Sequence, residues 1–187
     1  MPVAETASIF NECIINSSAL AAAANDQEKL AILDSTLQDT TMIICDIYSR
    51  YRFETMVFEN RKDRFMNADD LCTLMLDAQK QSYGDGLDHT CLHPYMWINM
   101  SHYYGPTFYN FPYAFGGLFA RGLYAQYRKE GASFVPKYKK LLCTTPVATA
   151  EDTALVAGID LTDKAFWCAA LQTVVDQIDQ FCSLLKN

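Results

Sequence analysis

Nearly every segment of the chain repeats its apolar residues at threes, fours and sevens, and no stretch sustains the alternation of a half-buried strand. That spacing constrains the chain to helices packed on helices, so it is predicted to be all-α, a multi-helix bundle. From Val3 to Ala24, Ala7, Phe10, Ile14 and Ala21 share one face, and the helix-forming alanines end at Asn25. Asp26 is placed to cap the next helix. Residues 27 to 60 carry Leu30, Leu33, Leu37, Ile44, Ile47, Tyr51 and Phe58 without Gly or Pro, predicting one long helix or two collinear ones. Asn67 with Asp70 three residues on opens a helix through Ser82 that Gly84 and Gly86 close, and residues 84 to 93 read as a loop. Asn110 with Pro112 just inside starts a helix over 112 to 129, stopped by Gly131. A short helix over 136 to 142 and a turn at Thr145 and Pro146 follow. The last helix, capped by Thr162 or Asp160, carries Phe166, Leu171, Val174, Ile178, Phe181 and Leu185.

With 187 residues, no internal repeat and no low-complexity linker, residues 1 to 187 are expected to form a single unit. The 15 basic and 22 acidic residues give a net charge of −7 with no Lys/Arg cluster, which argues against nucleic acid as a partner. No basic region precedes an apolar run at the N-terminus, and no segment nears the roughly 18 consecutive apolar residues of a membrane span. A soluble cytoplasmic protein fits. The seven cysteines are odd in number, lack any C-x-x-C pair and sit partly in apolar helical stretches, so reduced, buried thiols are expected.

Two separated segments carry a more specific signal: VAETASIFNE at residues 3 to 12, and WINMSHYYGPTFYNFPYAFGG at residues 97 to 117. On these the chain resembles the C-terminal part of an oligoendopeptidase F type zinc metallopeptidase, of the thimet oligopeptidase superfamily. In that family a His-Glu-x-x-His helix supplies two zinc ligands and the general base, and a later V-A-E-x-A-S-x-x-N-E helix supplies the third ligand. The resemblance assigns that third-ligand role to Glu5. No His-Glu-x-x-His occurs here, the histidines being His89, His93 and His102. The resemblance therefore implies an enzyme whose zinc site is only partly present, completed by a missing N-terminal part. The chain alone is expected to be inactive and to bind zinc weakly. It would form one lobe, a wall of the channel that admits short peptides and excludes folded proteins.

A catalytic zinc takes three protein ligands and leaves one position open. Without the resemblance, an acid near a helix start does no more than favour the helix dipole. Glu12, seven residues on, lies about 10 Å further along the axis and suits a supporting or salt-bridge role.

The family places a His and several tyrosines in a pattern like W-x-x-x-x-H-x-Y followed by P-F-Y-x-Y-x-Y. By position, His102 and Tyr113 carry over as catalytic groups and, with Tyr109, as substrate-binding ones. Imidazole N–H and phenol O–H are donors that can be aimed at a developing oxyanion, and a helix N-terminus nearby favours the same charge. The Gly105–Pro106 turn would bring His102 in from the loop side. Phe111 replaces the middle tyrosine, and one extra residue separates His102 from Tyr109. On composition alone, Tyr103, Tyr104, Phe108, Phe111 and Phe115 read as an aromatic packing surface.

His89 and His93 imitate half of a zincin signature, but Thr90 stands where the catalytic Glu belongs and Pro94 follows. They read as a polar loop near the substrate cleft, with Asp85 and Asp88 as solvated acids. The expected function is zinc-dependent endopeptidase action on internal bonds of short oligopeptides. The alternative is a non-catalytic helical interaction module in which the aromatic segment is an interface and Glu5 a surface acid.

Overall fold

The computed structural model describes residues 2 to 105 and 107 to 186. Its α-helices are α1 (Thr6–Ala22), α2 (Asp26–Thr41), α3 (Ile47–Arg61), α4 (Ala68–Tyr83), α5 (Met96–Asn99), α6 (Phe111–Glu130), α7 (Val135–Thr144), α8 (Ala150–Val156) and α9 (Lys164–Leu184). No strand occurs among the described residues, and the all-α expectation holds. None of these helices is long and apolar enough to cross a membrane.

The chain groups into two compact units, one made of the N-terminal part through Thr40 together with the chain from Phe115 onward, the other of Thr41–Ala114. In the first, Ile9 and Phe10 of α1, Leu33 of α2, Phe119, Ala120 and Leu123 of α6, Leu141 of α7, and Phe166 and Ala170 of α9 are buried. The aromatics interlock: Phe10 stacks on Tyr138 with ring centroids 4.2 Å apart, and Phe119 lies between Phe115 and Phe166 at 6.0 and 5.7 Å. Gly122 of α6 faces the Phe166 ring so closely that a Cβ there would overlap it. In the second unit Phe53 of α3 packs with Met75 and Ala78 of α4, flanked by Met56, Leu71, Trp97 and Tyr103.

Local chemistry explains most boundaries. Asn67 and Asp70 form the expected capping box: Asp70 N donates to Asn67 Oδ1 at 2.9 Å and Asn67 N to Asp70 Oδ2 at 3.0 Å. Gly84 and Gly131 take positive φ of 52° and 62° at the ends of α4 and α6, as a residue without Cβ can. The chain passes from α2 to α3 through a π-helical turn, Met42–Asp46, with Ile47 N donating to Met42 O.

Other boundaries differ from expectation. Asn25, not Asp26, caps α2, because its Oδ1 accepts from Glu28 N at 2.9 Å while Glu28 Oε2 accepts from Ala24 N at 2.8 Å. Asp160 spends its Oδ1 on Thr162 N and Oγ1 at 2.8 and 2.7 Å, so the cap of α9 falls on Asp163, which accepts from Ala165 N at 2.8 Å. Helix α1 begins at Thr6 rather than Val3. Helices α5 and α8 were not anticipated, although Thr149, three residues before Asp152, is a capping signal, and its Oγ1 accepts from Asp152 N at 3.1 Å. The cysteines are free but none is buried: Cys13, Cys45 and Cys72 are half-buried and the other four exposed. The apolar stripes are wider than the arcs they bury, leaving Tyr51, Phe58, Leu171, Ile178 and Leu185 exposed.

Candidate functional site

Three of the anticipated residues meet in the second unit. His102 sits in a 3-10 turn, Ser101–Tyr104, Tyr109 in the turn before α6, and Tyr113 in the first turn of α6. Tyr113 Oη lies 3.3 Å from His102 Nε2, the imidazole tautomer deciding which atom donates. The Tyr109 ring is parallel to the imidazole within 4°, centroids 6.0 Å apart, and stands edge-on to Tyr113 at 6.3 Å. All three are half-buried. Phe111, where the hydroxyl is lost, is exposed. Pro106 lies outside the described residues, and with it the Gly105–Pro106 turn.

Tyr103 and Tyr104 turn to other tasks. Tyr103 packs on Phe53 at 5.1 Å, and burial pushes its hydroxyl well above the ordinary phenol range. Tyr104 Oη donates to Trp97 O at 3.1 Å.

What holds the cluster was not anticipated. Glu54 of α3 is 6 % exposed, and its carboxylate accepts from Phe108 N at 2.8 Å and from Asn110 Nδ2 at 3.3 Å. The two residues it grips flank Tyr109. Phe108 has φ of +57°, a left-handed conformation a bulky residue rarely adopts, and its ring is wedged between Tyr51 and Phe58 at 5.8 and 5.4 Å. Asn110, expected to start α6, uses its side chain on Glu54 rather than as a cap. The signal was present: Ile47, Tyr51, Glu54 and Phe58 follow one another by four, three and four, so an acid stands in an apolar stripe. Replacing Glu54 by leucine leaves both donors without an acceptor and is expected to lower stability by about 1–3 kcal/mol. Gln, which keeps one acceptor oxygen, is expected to cost clearly less; urea midpoints of the two variants check the order.

Glu5 belongs to the first unit. It occupies the N-cap position of α1 with φ −90° and ψ 2°, yet its side chain makes no cap hydrogen bond. Ser8 Oγ donates to Glu5 O at 2.9 Å and only loosely to Glu5 Oε2 at 3.4 Å. Gly116 backs it closely, since a Cβ there would lie 3.4 Å from Glu5 Cβ. A half-buried carboxylate with lone pairs largely uncommitted fits one position of a zinc site. Among the described residues no three His, Cys, Asp or Glu side chains gather as a metal site. Glu12 is exposed.

His89 and His93 are engaged locally. His89 Nε2 lies 2.8 Å from Gly84 O, and Tyr95 N donates to His93 Nδ1 at 3.1 Å. Asp88 accepts from Thr90 N and Oγ1, which holds its carboxyl below the usual carboxylate range.

Comparisons with known proteins bear on the family and the fold. The chain is 26% identical over 186 residues to the oligopeptidase PepF of Bacillus subtilis (strain 168), covering 99% of this chain and 28% of that protein. Its fold matches the crystal structure of oligoendopeptidase-F from Enterococcus faecium with a TM-score of 0.79 at 19% identity, over 99% of this chain and 36% of that one. The chain thus spans about a third or less of the length of these relatives. The description of Peptidase family M3 matches residues 1–173, nearly the whole sequence and both motif segments, and the chain therefore belongs to Peptidase family M3.

Proposed function

We propose that the chain supplies part of the active centre of a zinc-dependent endopeptidase acting on internal bonds of short oligopeptides. Glu5 is read as the third zinc ligand, His102 and Tyr113 as the groups that stabilise the oxyanion, and Tyr109 as a substrate contact. The helical bundle is read as one wall of the catalytic domain. The observation that carries this reading is the meeting of His102, Tyr109 and Tyr113, 11 residues apart from first to last, with Tyr113 Oη 3.3 Å from His102 Nε2.

Bound zinc supplies a Lewis acid and a water whose pKa falls to about 7. The residues of this chain do the remaining work. As a scissile carbonyl becomes tetrahedral its oxygen gains charge, and a phenol O–H and an imidazole N–H held on one surface can donate to it. The packed rings hold the two polar atoms side by side, and the hydrogen shared between them at 3.3 Å turns from that contact to the oxyanion as charge develops. Tyr113, in the first turn of α6, also places that charge near the positive end of a helix.

The test is hydrolysis of an internally quenched short peptide by the full-length protein with zinc present. Tyr113→Phe and His102→Ala are each expected to lower kcat by roughly 10²–10³-fold with smaller changes in KM. Unchanged kcat in both variants, or no cleavage of any peptide by the zinc-loaded protein, would instead make the aromatic segment a packing or interaction surface.

A further inference from the structure

The first unit contains a solvent-open cavity of about 180 Å³, of mixed polar and apolar lining, walled by α1, α2, α6 and α9, with Ser17, Arg128, Asp176 and Gln180 on its exposed rim. Arg121 of α6 lines it and is 7% exposed. The guanidinium donates to Gln177 Oε1 at 3.3 Å and to Thr40 Oγ1. Thr40 in turn donates its own hydrogen to Thr36 O at 2.7 Å, so its oxygen faces the guanidinium as a pure acceptor. Both of these acceptors are neutral. Among the described residues no carboxylate pairs with Arg121.

A buried cation without a counter-charge is costly, and a guanidinium has five donors to satisfy. The lining also favours a negative guest. Arg121 and Arg128 stand against a single acid, Asp176, whose Oδ1 already accepts from Gln172 Nε2 at 2.9 Å. In a chain of net charge −7 this is a local excess of positive charge. Size narrows the guest further. At about 180 Å³ the cavity falls short of the ~300–1,000 Å³ of pockets for larger organic ligands.

We propose that this cavity binds a small oxyanion, a carboxylate or a phosphate group, with Arg121 as the anchoring cation and Asn16, Ser17 and Gln180 as neutral donors on the wall. The site is independent of the peptidase reading, since none of its residues belongs to the candidate active centre.

The experiment is isothermal titration calorimetry of the protein with inorganic phosphate and, separately, with acetate, at constant ionic strength. Saturable binding of at least one is expected; phosphate alone identifies a phosphoryl guest, acetate alone a carboxylate, and both a site that reads oxyanion charge. Arg121→Gln is expected to weaken that binding roughly tenfold or more, the worth of a charge-assisted contact. Where Arg121→Gln fails to fold, Ser17→Glu decides, because a carboxylate built onto the wall leaves the Arg121 bonds intact and should abolish the titration. No saturable heat with either anion, or affinity unchanged in the variant that folds, overturns the proposal.

Discussion

Replacing Glu5 with alanine in the full-length protein is expected to lower kcat/KM for a short peptide by on the order of 10³-fold or more, since several kcal/mol of transition-state stabilisation depend on a held metal and each 1.36 kcal/mol is tenfold. Zinc affinity should fall with it. The folded state should lose little: the Glu5 side chain caps nothing, its only hydrogen-bond approach is the loose 3.4 Å from Ser8 Oγ, and the Cβ that lies against Gly116 is kept in alanine. Truncating a half-buried side chain with so few bonds is expected to cost no more than about 1 kcal/mol. The combination separates the competing readings. A ligand loses activity and zinc at constant unfolding free energy, whereas a helix-terminal acid loses neither. Chelator titration and urea unfolding of the same Glu5→Ala preparation decide between them, and full activity in that variant would remove Glu5 from the site.

The largest effect on stability is expected at Phe119. It is fully buried in α6 and touches Phe115 on its own helix and Phe166 on α9. Phe119→Ala removes a ring from a packed layer and leaves a cavity, costing about 3–5 kcal/mol. Against a total of about 5–15 kcal/mol that is a large share. Phe119→Leu keeps most of the volume and should cost about half as much or less. The check is the urea midpoint at constant m value; a loss below about 1 kcal/mol for the alanine variant would mean that the helices close over the space.

The helices were legible because their apolar spacing and punctuation are local properties. Asn67 with Asp70 announces α4 within four residues, and Gly131 ends α6 by itself. Competition among neighbouring acceptors was harder to see. Asp160, Thr162 and Asp163 all could cap α9, and only the turn that ties Asp160 to Thr162 leaves the task to Asp163. Burial of the cysteines failed for a related reason, since membership of an apolar helix does not say which side faces inward. At the candidate site the gathering of His102, Tyr109 and Tyr113 was foreseeable from their motif. The Glu54 grip was not, because it joins positions 54 residues apart in the chain, and long-range pairing leaves no periodic trace. The neutral acceptors of Arg121 were equally hidden, its partner Thr40 lying 81 residues away.

The contact between Gly122 and Phe166 makes those two positions share one allotment of space. Alanine at 122 would by itself favour a helix by about 1 kcal/mol, so propensity alone would push the glycine out. Its presence shows which demand prevails, and the demand comes from the partner. Among sequences that keep this helix crossing, volume gained at position 122 has to be given up at position 166, so the two sites should drift through evolution as a pair. A protein carrying leucine or alanine at 166 is where a side chain at 122 becomes tolerable, and the double change should fold where the single change at 122 is strained.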